Sequence, residues 1–177
     1  DPSADVDGFD ACRKICILAA LCFGKHVYPD SVYTEGIRKI ALADVDYARS
    51  WGGVIKLIAR AKKLENGKVS VMVSPAFVQN HSQLASVDDV FNAILVRGDA
   101  IGDVVFYGKG AGKMPTASAV VADVIDCARH MQRKKFFGWQ DSEPGYVADF
   151  EESVSSFYIR ATTENAAAAV AEVNNAF

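Results

Sequence analysis

From Ile15 to Phe23 the chain carries no polar side chain beyond the thiols of Cys16 and Cys22. A helix made from such a run is apolar on every side and is expected to be buried, because apolar surface left in water forfeits the main gain of folding. The run falls well short of the ~20 apolar residues that span a bilayer, so its cover has to come from a protein core. Just ahead of it stand Asp5, Asp7, Asp10 and Lys14. The expectation is a buried helix with carboxylates at its entry and Lys14 at the mouth of the core, an arrangement suited to proton chemistry on a small polar substrate.

The remainder of the chain offers the material to cover that helix. Asp7-Gly8-Phe9-Asp10 reads as its start, with Asp7 as N-cap, Asp10 near the positive end of the dipole and Gly24 as its stop. A second short helix fits Leu42 to Trp51. Two β-rich runs, Val54 to Leu64 and Lys68 to Val78, flank Glu65-Asn66-Gly67, and Asn-Gly is a strong hairpin signal. Val90 to Val96 and Asp103 to Tyr107 predict another hairpin across residues 98–102. Pro115 to about Arg133 reads as a helix, with proline near its first turn and Arg129, Arg133, Lys134 and Lys135 toward its negative end. The fold class is therefore α+β, a mixed or antiparallel β-sheet covered by helices.

After residue 137 the character changes. Gly138 to Ser153 is acidic, contains Pro144-Gly145 and lacks apolar periodicity, so it reads as a linker. Beyond it Ser155 to Thr162 predicts a strand and Glu164 to Phe177 an alanine-rich helix. One strand and one helix cannot enclose a core alone. The expected organisation is a main unit over residues 1–137, a linker over 138–153, and a strand and helix over 154–177 that either dock on the rest or are cut short.

With 177 residues and 50% apolar content, there is enough chain for one sizeable core. A formal charge of -3 and a pI near 5.6 leave no basic surface to favour nucleic acid or an anionic membrane. Cys12, Cys16, Cys22 and Cys127 all fall in expected helices, unlike a secreted disulfide framework, which points to reduced thiols and the cytoplasm. No Cys-x-x-Cys pair is present and His26, His81 and His130 are scattered, so no metal site is expected.

Two readings are open at the helix entry. Asp10 and Lys14 share a helix face, and the plain reading is an i,i+4 ion pair worth ~0.2–0.5 kcal/mol. The chemical reading uses the same adjacency: a lysine at the edge of an apolar region is desolvated toward its neutral, proton-accepting form, and an adjacent carboxylate holds a substrate hydroxyl or ammonium. Asp5 is either a solvated loop carboxylate or a pocket group. A second candidate lies at Gly108, Gly110 and Gly112, where missing side chains let the backbone approach a ligand. The helix that follows, with Thr116 and Ser118, presents free amides to anionic groups. The alternative there is a tight strand-to-helix turn without a ligand.

The block Asp1-Pro2-x-x-Asp5-Val6-x-Gly8-x-Asp10-x-x-x-Lys14 resembles the signature of homoserine dehydrogenase. Tyr107-Gly108-Lys109-Gly110-Ala111-Gly112-Lys113-Met114-Pro115, with the helix running on to Asp123, is similar to the same family's glycine loop, and the resemblance extends through roughly Gln132. It implies an NAD(P)-dependent enzyme that interconverts L-homoserine and L-aspartate 4-semialdehyde in aspartate-family amino-acid biosynthesis, working as a cytoplasmic homodimer. The resemblance further implies that Lys14 is the acid/base, that Asp10 and Asp5 contact the substrate, and that Gly110, with Gly108 and Gly112, contacts the nicotinamide side of the cofactor. Phe157 to Thr162 looks like the opening strand of the ACT domain found after the catalytic region of many family members. The Pro-Gly pair that usually opens the next helix is replaced here by Ala167-Ala168.

A nicotinamide enzyme also needs a dinucleotide-binding unit, and the spacing Gly108-x-Gly110-x-Gly112 is neither its Gly-x-Gly-x-x-Gly fingerprint nor a P-loop. Because the chain opens inside the family signature, the N-terminal Rossmann domain is expected to lie outside it. The alternative function is a non-catalytic dimerisation or assembly module of the same fold.

Overall fold

The computed structural model describes residues 1–133 and 138–176. A short helix α1 (Ser3–Val6) leads through Asp7 and Gly8 into α2 (Phe9–Phe23). Gly8 has φ of 82°, the left-handed region that glycine enters without steric cost, and this lets the chain turn sharply between the helices. Strand β1 (Tyr33–Thr34) and helix α3 (Leu42–Ser50) come next, followed by the long hairpin of β2 (Gly53–Lys63) and β3 (Val69–Gln79). β3 lies at the centre, antiparallel to β2 and parallel to β1. A second two-stranded sheet, β4 (Phe91–Gly98) with β5 (Gly102–Lys109), runs into α4 (Lys113–Arg129). The described chain closes with α5 (Ala166–Ala176).

The core forms where period 2 on a strand meets the apolar stripe of a helix. Val69, Val71 and Val73 of β3 turn one face toward Cys12, Ile15, Cys16 and Ala19 of α2, and Val27, Val32 and Tyr146 complete the cluster. Ala59 and Ala61 of β2 stand opposite Val73 and Val71 and pack from the same side. Burying one valine contributes ~1.5–3 kcal/mol, so the seam between α2 and the sheet fixes how the catalytic candidates are presented. The α+β expectation is met, with mixed strand pairing in one sheet and antiparallel pairing in the other.

Several local expectations need correction. α2 is buried on one face only, since Ile17 and Leu21 are 57% and 53% exposed. A single sheet reaches one side of a helix, and among the described residues nothing encloses the other. Gly8, not Asp7, is the N-cap of α2, while Asp7 caps the C-terminal end of α1 and Asp5 sits within α1 instead of a loop. α4 begins at Lys113 and ends at Arg129. Lys134, Lys135 and Phe177 lie outside the described residues, as does the boundary at residue 137.

The stretch expected as a linker is fastened to the body. His26 and Gln140 exchange backbone partners with the chain opposite, through His26 N–H to the Gln140 carbonyl at 2.8 Å and Gln140 N–H to the Gly24 carbonyl at 2.9 Å. Val69 N–H donates to the Tyr146 carbonyl at 3.0 Å and Ala148 N–H to the Val69 carbonyl at 2.9 Å. Lys25 holds both oxygens of Glu143, and the Tyr28 hydroxyl donates to Asp141.

Residues 155–162 form no paired strand, contrary to expectation; their side chains dock instead. The Tyr158 hydroxyl donates to Asp44 at 3.0 Å, and the Arg160 guanidinium reaches the same carboxylate at 2.6 Å. Asp44 is buried near the start of α3, where it also accepts the Ala41 backbone N–H at 2.7 Å. That backbone bond, reinforced by Tyr158 and Arg160, holds its carboxyl below the usual carboxylate range. Among the described residues no helix is long and apolar enough to cross a membrane.

Candidate active site

α2 projects Asp10 and Lys14 along the stripe that it also uses for Ile17 and Leu21. Lys14 Nζ lies 2.6 Å from Asp10 Oδ2, with the two side chains 63% and 41% exposed. Lys14 thus stands on the outer wall of the core, not at its mouth, and the described residues do not supply the desolvation expected from the apolar run. The geometry does supply a carboxylate and an amine in contact on one rigid helix, so a hydroxyl placed beside the amine can exchange its single proton with it while the carboxylate keeps that amine in place. Behind them the helix is closed. Cys12 and Cys16 are buried, and burial, with Cys12 close by, pushes the Cys16 thiol up to about 12.

Asp5 occupies the neighbouring short helix, joined to the Asp10 and Lys14 helix through Asp7 and Gly8. The segment 35–38 lies across that joint. Ile37 N–H donates to the Val6 carbonyl at 2.9 Å, and Glu35 N–H ties the same segment to Val73 of β3 at 2.8 Å. A Cβ on Gly36 would fall 2.1 Å from the Val6 carbonyl oxygen, so only glycine permits this approach. Arg38 then grips the Asp7 carboxylate as a fork, Nη2 to Oδ2 at 3.0 Å and Nε to Oδ1. Hydrogen bonding to Arg38 holds the Asp7 carboxyl below the usual range. None of this was legible beforehand; the only local signal is a glycine in a polar loop beside a basic residue.

The glycine loop divides into two kinds of position. Gly110 is explained within the chain, since a Cβ there would lie 1.9 Å from Asn92 Nδ2. Asn92 sits opposite Gly108 in the β4–β5 register, a neighbour that sequence reading left without a role. Gly108 faces open space, and Gly112 adopts φ of 124° at the N-cap of α4, which has no side-chain capping bond. Open space beside Gly108 and free amides at the uncapped start of α4 fit a group that brings hydrogen-bond acceptors, as the carboxamide and phosphates of a dinucleotide do.

The homoserine dehydrogenase family profile matches residues 1–125, taking in both the Asp10–Lys14 pair and the glycine loop. The chain belongs to the homoserine dehydrogenase family. A homoserine dehydrogenase from Corynebacterium glutamicum is 40% identical over 185 aligned positions, covering 100% of this chain and 41% of that protein. The crystal structure of a homoserine dehydrogenase from Thiobacillus denitrificans superposes with a TM-score of 0.73 at 39% identity, over 84% of this chain and 35% of that one. A hyperthermophilic archaeal homoserine dehydrogenase, solved in complex with NADPH, gives a TM-score of 0.58 at 31% identity, over 73% of this chain and 35% of that one. The chain therefore spans well under half the length of these homoserine dehydrogenases.

Proposed function

We propose that this chain carries the substrate-binding and proton-transfer part of a homoserine dehydrogenase, interconverting L-homoserine and L-aspartate 4-semialdehyde. The observation that carries this reading is the 2.6 Å contact of Lys14 with Asp10 on the helix that bears the family signature. In the oxidising direction Lys14 accepts the proton of the substrate hydroxyl as the O–H bond breaks, the C–H bond gives up its hydride and the carbonyl forms; in reduction Lys14 returns the proton. Asp10 accepts a hydrogen bond from the ammonium of the substrate and keeps the Lys14 amine in place. Asp5, one short helix away, offers a second carboxylate to the substrate ammonium.

NAD(P), when bound, supplies the acceptor or donor of the hydride. Gly108 is the open position of the loop that would hold its nicotinamide end, with Gly112 at the start of α4 and Gly110 shaped by Asn92 beside it. The working form is proposed to be a cytoplasmic homodimer, since exposed Ile94 and Phe106 leave the second hairpin with apolar surface for a second copy. Residues 1–137 form the catalytic unit in this reading, residues 138–153 connect it to the rest, and residues 154–177 belong to an ACT-like piece.

Lys14→Ala in the full-length enzyme is expected to lower kcat by ~10²-fold or more, with a smaller change in cofactor affinity. Asp10→Asn should impair both kcat and homoserine binding. If the two residues form a plain surface ion pair, or the chain is an assembly module, steady-state assays of both variants will return nearly unchanged turnover.

A further inference from the structure

Building on that reading, we propose that Arg38 is a positioning residue of the substrate pocket: through Asp7 it fixes the turn that sets the helix of Asp5 against the helix of Asp10 and Lys14. The turn is short and contains one left-handed glycine, Gly8, which by itself leaves the angle between the helices poorly determined. Three ties from one segment converge on it. Two are made by backbone, the Ile37 N–H bond to Val6 and the close approach of Gly36. The third is the Arg38 fork, which grips a side chain of the turn itself.

A fork restricts orientation as well as distance, since both carboxylate oxygens must be met in one plane. Stability is not a sufficient reason for it. Arg38 is 61% and Asp7 31% exposed, and exposed ion pairs are worth little. Its placement matters more than its strength, because Asp5 precedes the gripped residue and Asp10 and Lys14 follow it. The segment is itself anchored to β3 through Glu35, so the fork transmits the rigidity of the sheet to the turn.

The test is steady-state kinetics of the full-length enzyme with Arg38→Gln, Asp7→Asn and the double variant, beside Lys14→Ala. A displacement of ~1 Å at a reacting group can cost up to ~10²-fold, and loss of one of three ties is expected to lower kcat/KM for homoserine about tenfold, with cofactor KM unchanged. Because Arg38 acts through Asp7, the double variant should match either single one, and Arg38→Lys, which keeps charge but loses the fork, should recover only part. Wild-type kcat/KM in Arg38→Gln would overturn the proposal, as would additive losses, which would put Arg38 on the substrate itself. If Lys14→Ala keeps turnover, the proton-transfer reading fails; if Lys14→Ala is inactive and Arg38→Gln is normal, only the positioning role does.

Discussion

The two hairpins are made by the same local chemistry, yet among the described residues only the first owns a core. β3 buries Val69, Val71 and Val73 against α2, whereas α4, which follows the second hairpin, has no buried residue. Val120, Val121, Val124 and Ile125 of α4 are between 46% and 62% exposed. Turn chemistry is enough to close a hairpin, but a core requires a second apolar surface brought from far along the chain. The consequence for the site is an asymmetry: the Asp10–Lys14 helix is anchored on a filled seam, while the glycine loop rests on an arm whose apolar side the described residues leave uncovered.

The sharpest way to break that comparison is to remove a side chain from the filled seam. Tyr146 is 6% exposed within the cluster, and Tyr146→Ala is expected to cost ~3 kcal/mol in denaturant unfolding, as for other large-to-small core changes. A cost near zero would show that the 138–153 segment only rests on the body. Val73→Ala on β3 should cost about 2 kcal/mol, while Val124→Ala on α4 should stay within ~0.5 kcal/mol. Equal costs at the two positions would erase the contrast, and amide exchange faster in β4–β5 than in β2–β3 would sharpen it.

The smallest expected effect is on acid stability of the docked C-terminal piece. Asp44, Asp141 and Glu143 are each held below the usual carboxylate range, first by the Ala41 N–H, the Tyr28 hydroxyl and Lys25 respectively. The docked state therefore binds fewer protons than the undocked one at mildly acidic pH. Its contribution is full above the ordinary carboxylate range and fades as pH falls through the lowered folded values. Tyrosine fluorescence followed during acid titration should report release of Tyr158 and Tyr28 there, before loss of helical signal. Release on raising the pH would contradict the sign.

What could be read from the sequence was local. Asn66-Gly67 placed the long hairpin, and a four-residue spacing put Asp10 and Lys14 on one face, because both depend only on near neighbours. Propensity favoured Asp7 as the helix cap, but its carboxylate is taken by Arg38 from a remote loop and Gly8 makes the turn. The apolar run from Ile15 gave burial without saying how many sides would find a partner. Tyr146 was hidden as a single aromatic in an acidic, turn-rich stretch. Phe157-Tyr158-Ile159 has strand composition, yet Tyr158 and Arg160 spend their polar ends on Asp44 and no ladder forms.

The stitch between Val69 and Tyr146 also imposes an order on how the molecule is made. α2 and β3 leave the ribosome first, and at ~5–20 residues per second the strand of chain that seals their seam follows several seconds later. Until it arrives, the wall beside Val69 stands open and the seam holding Cys12 and Cys16 is incomplete. The apolar wall beside Val69 is thus the last part of this core to close, and the interval in which it stands uncovered belongs to synthesis.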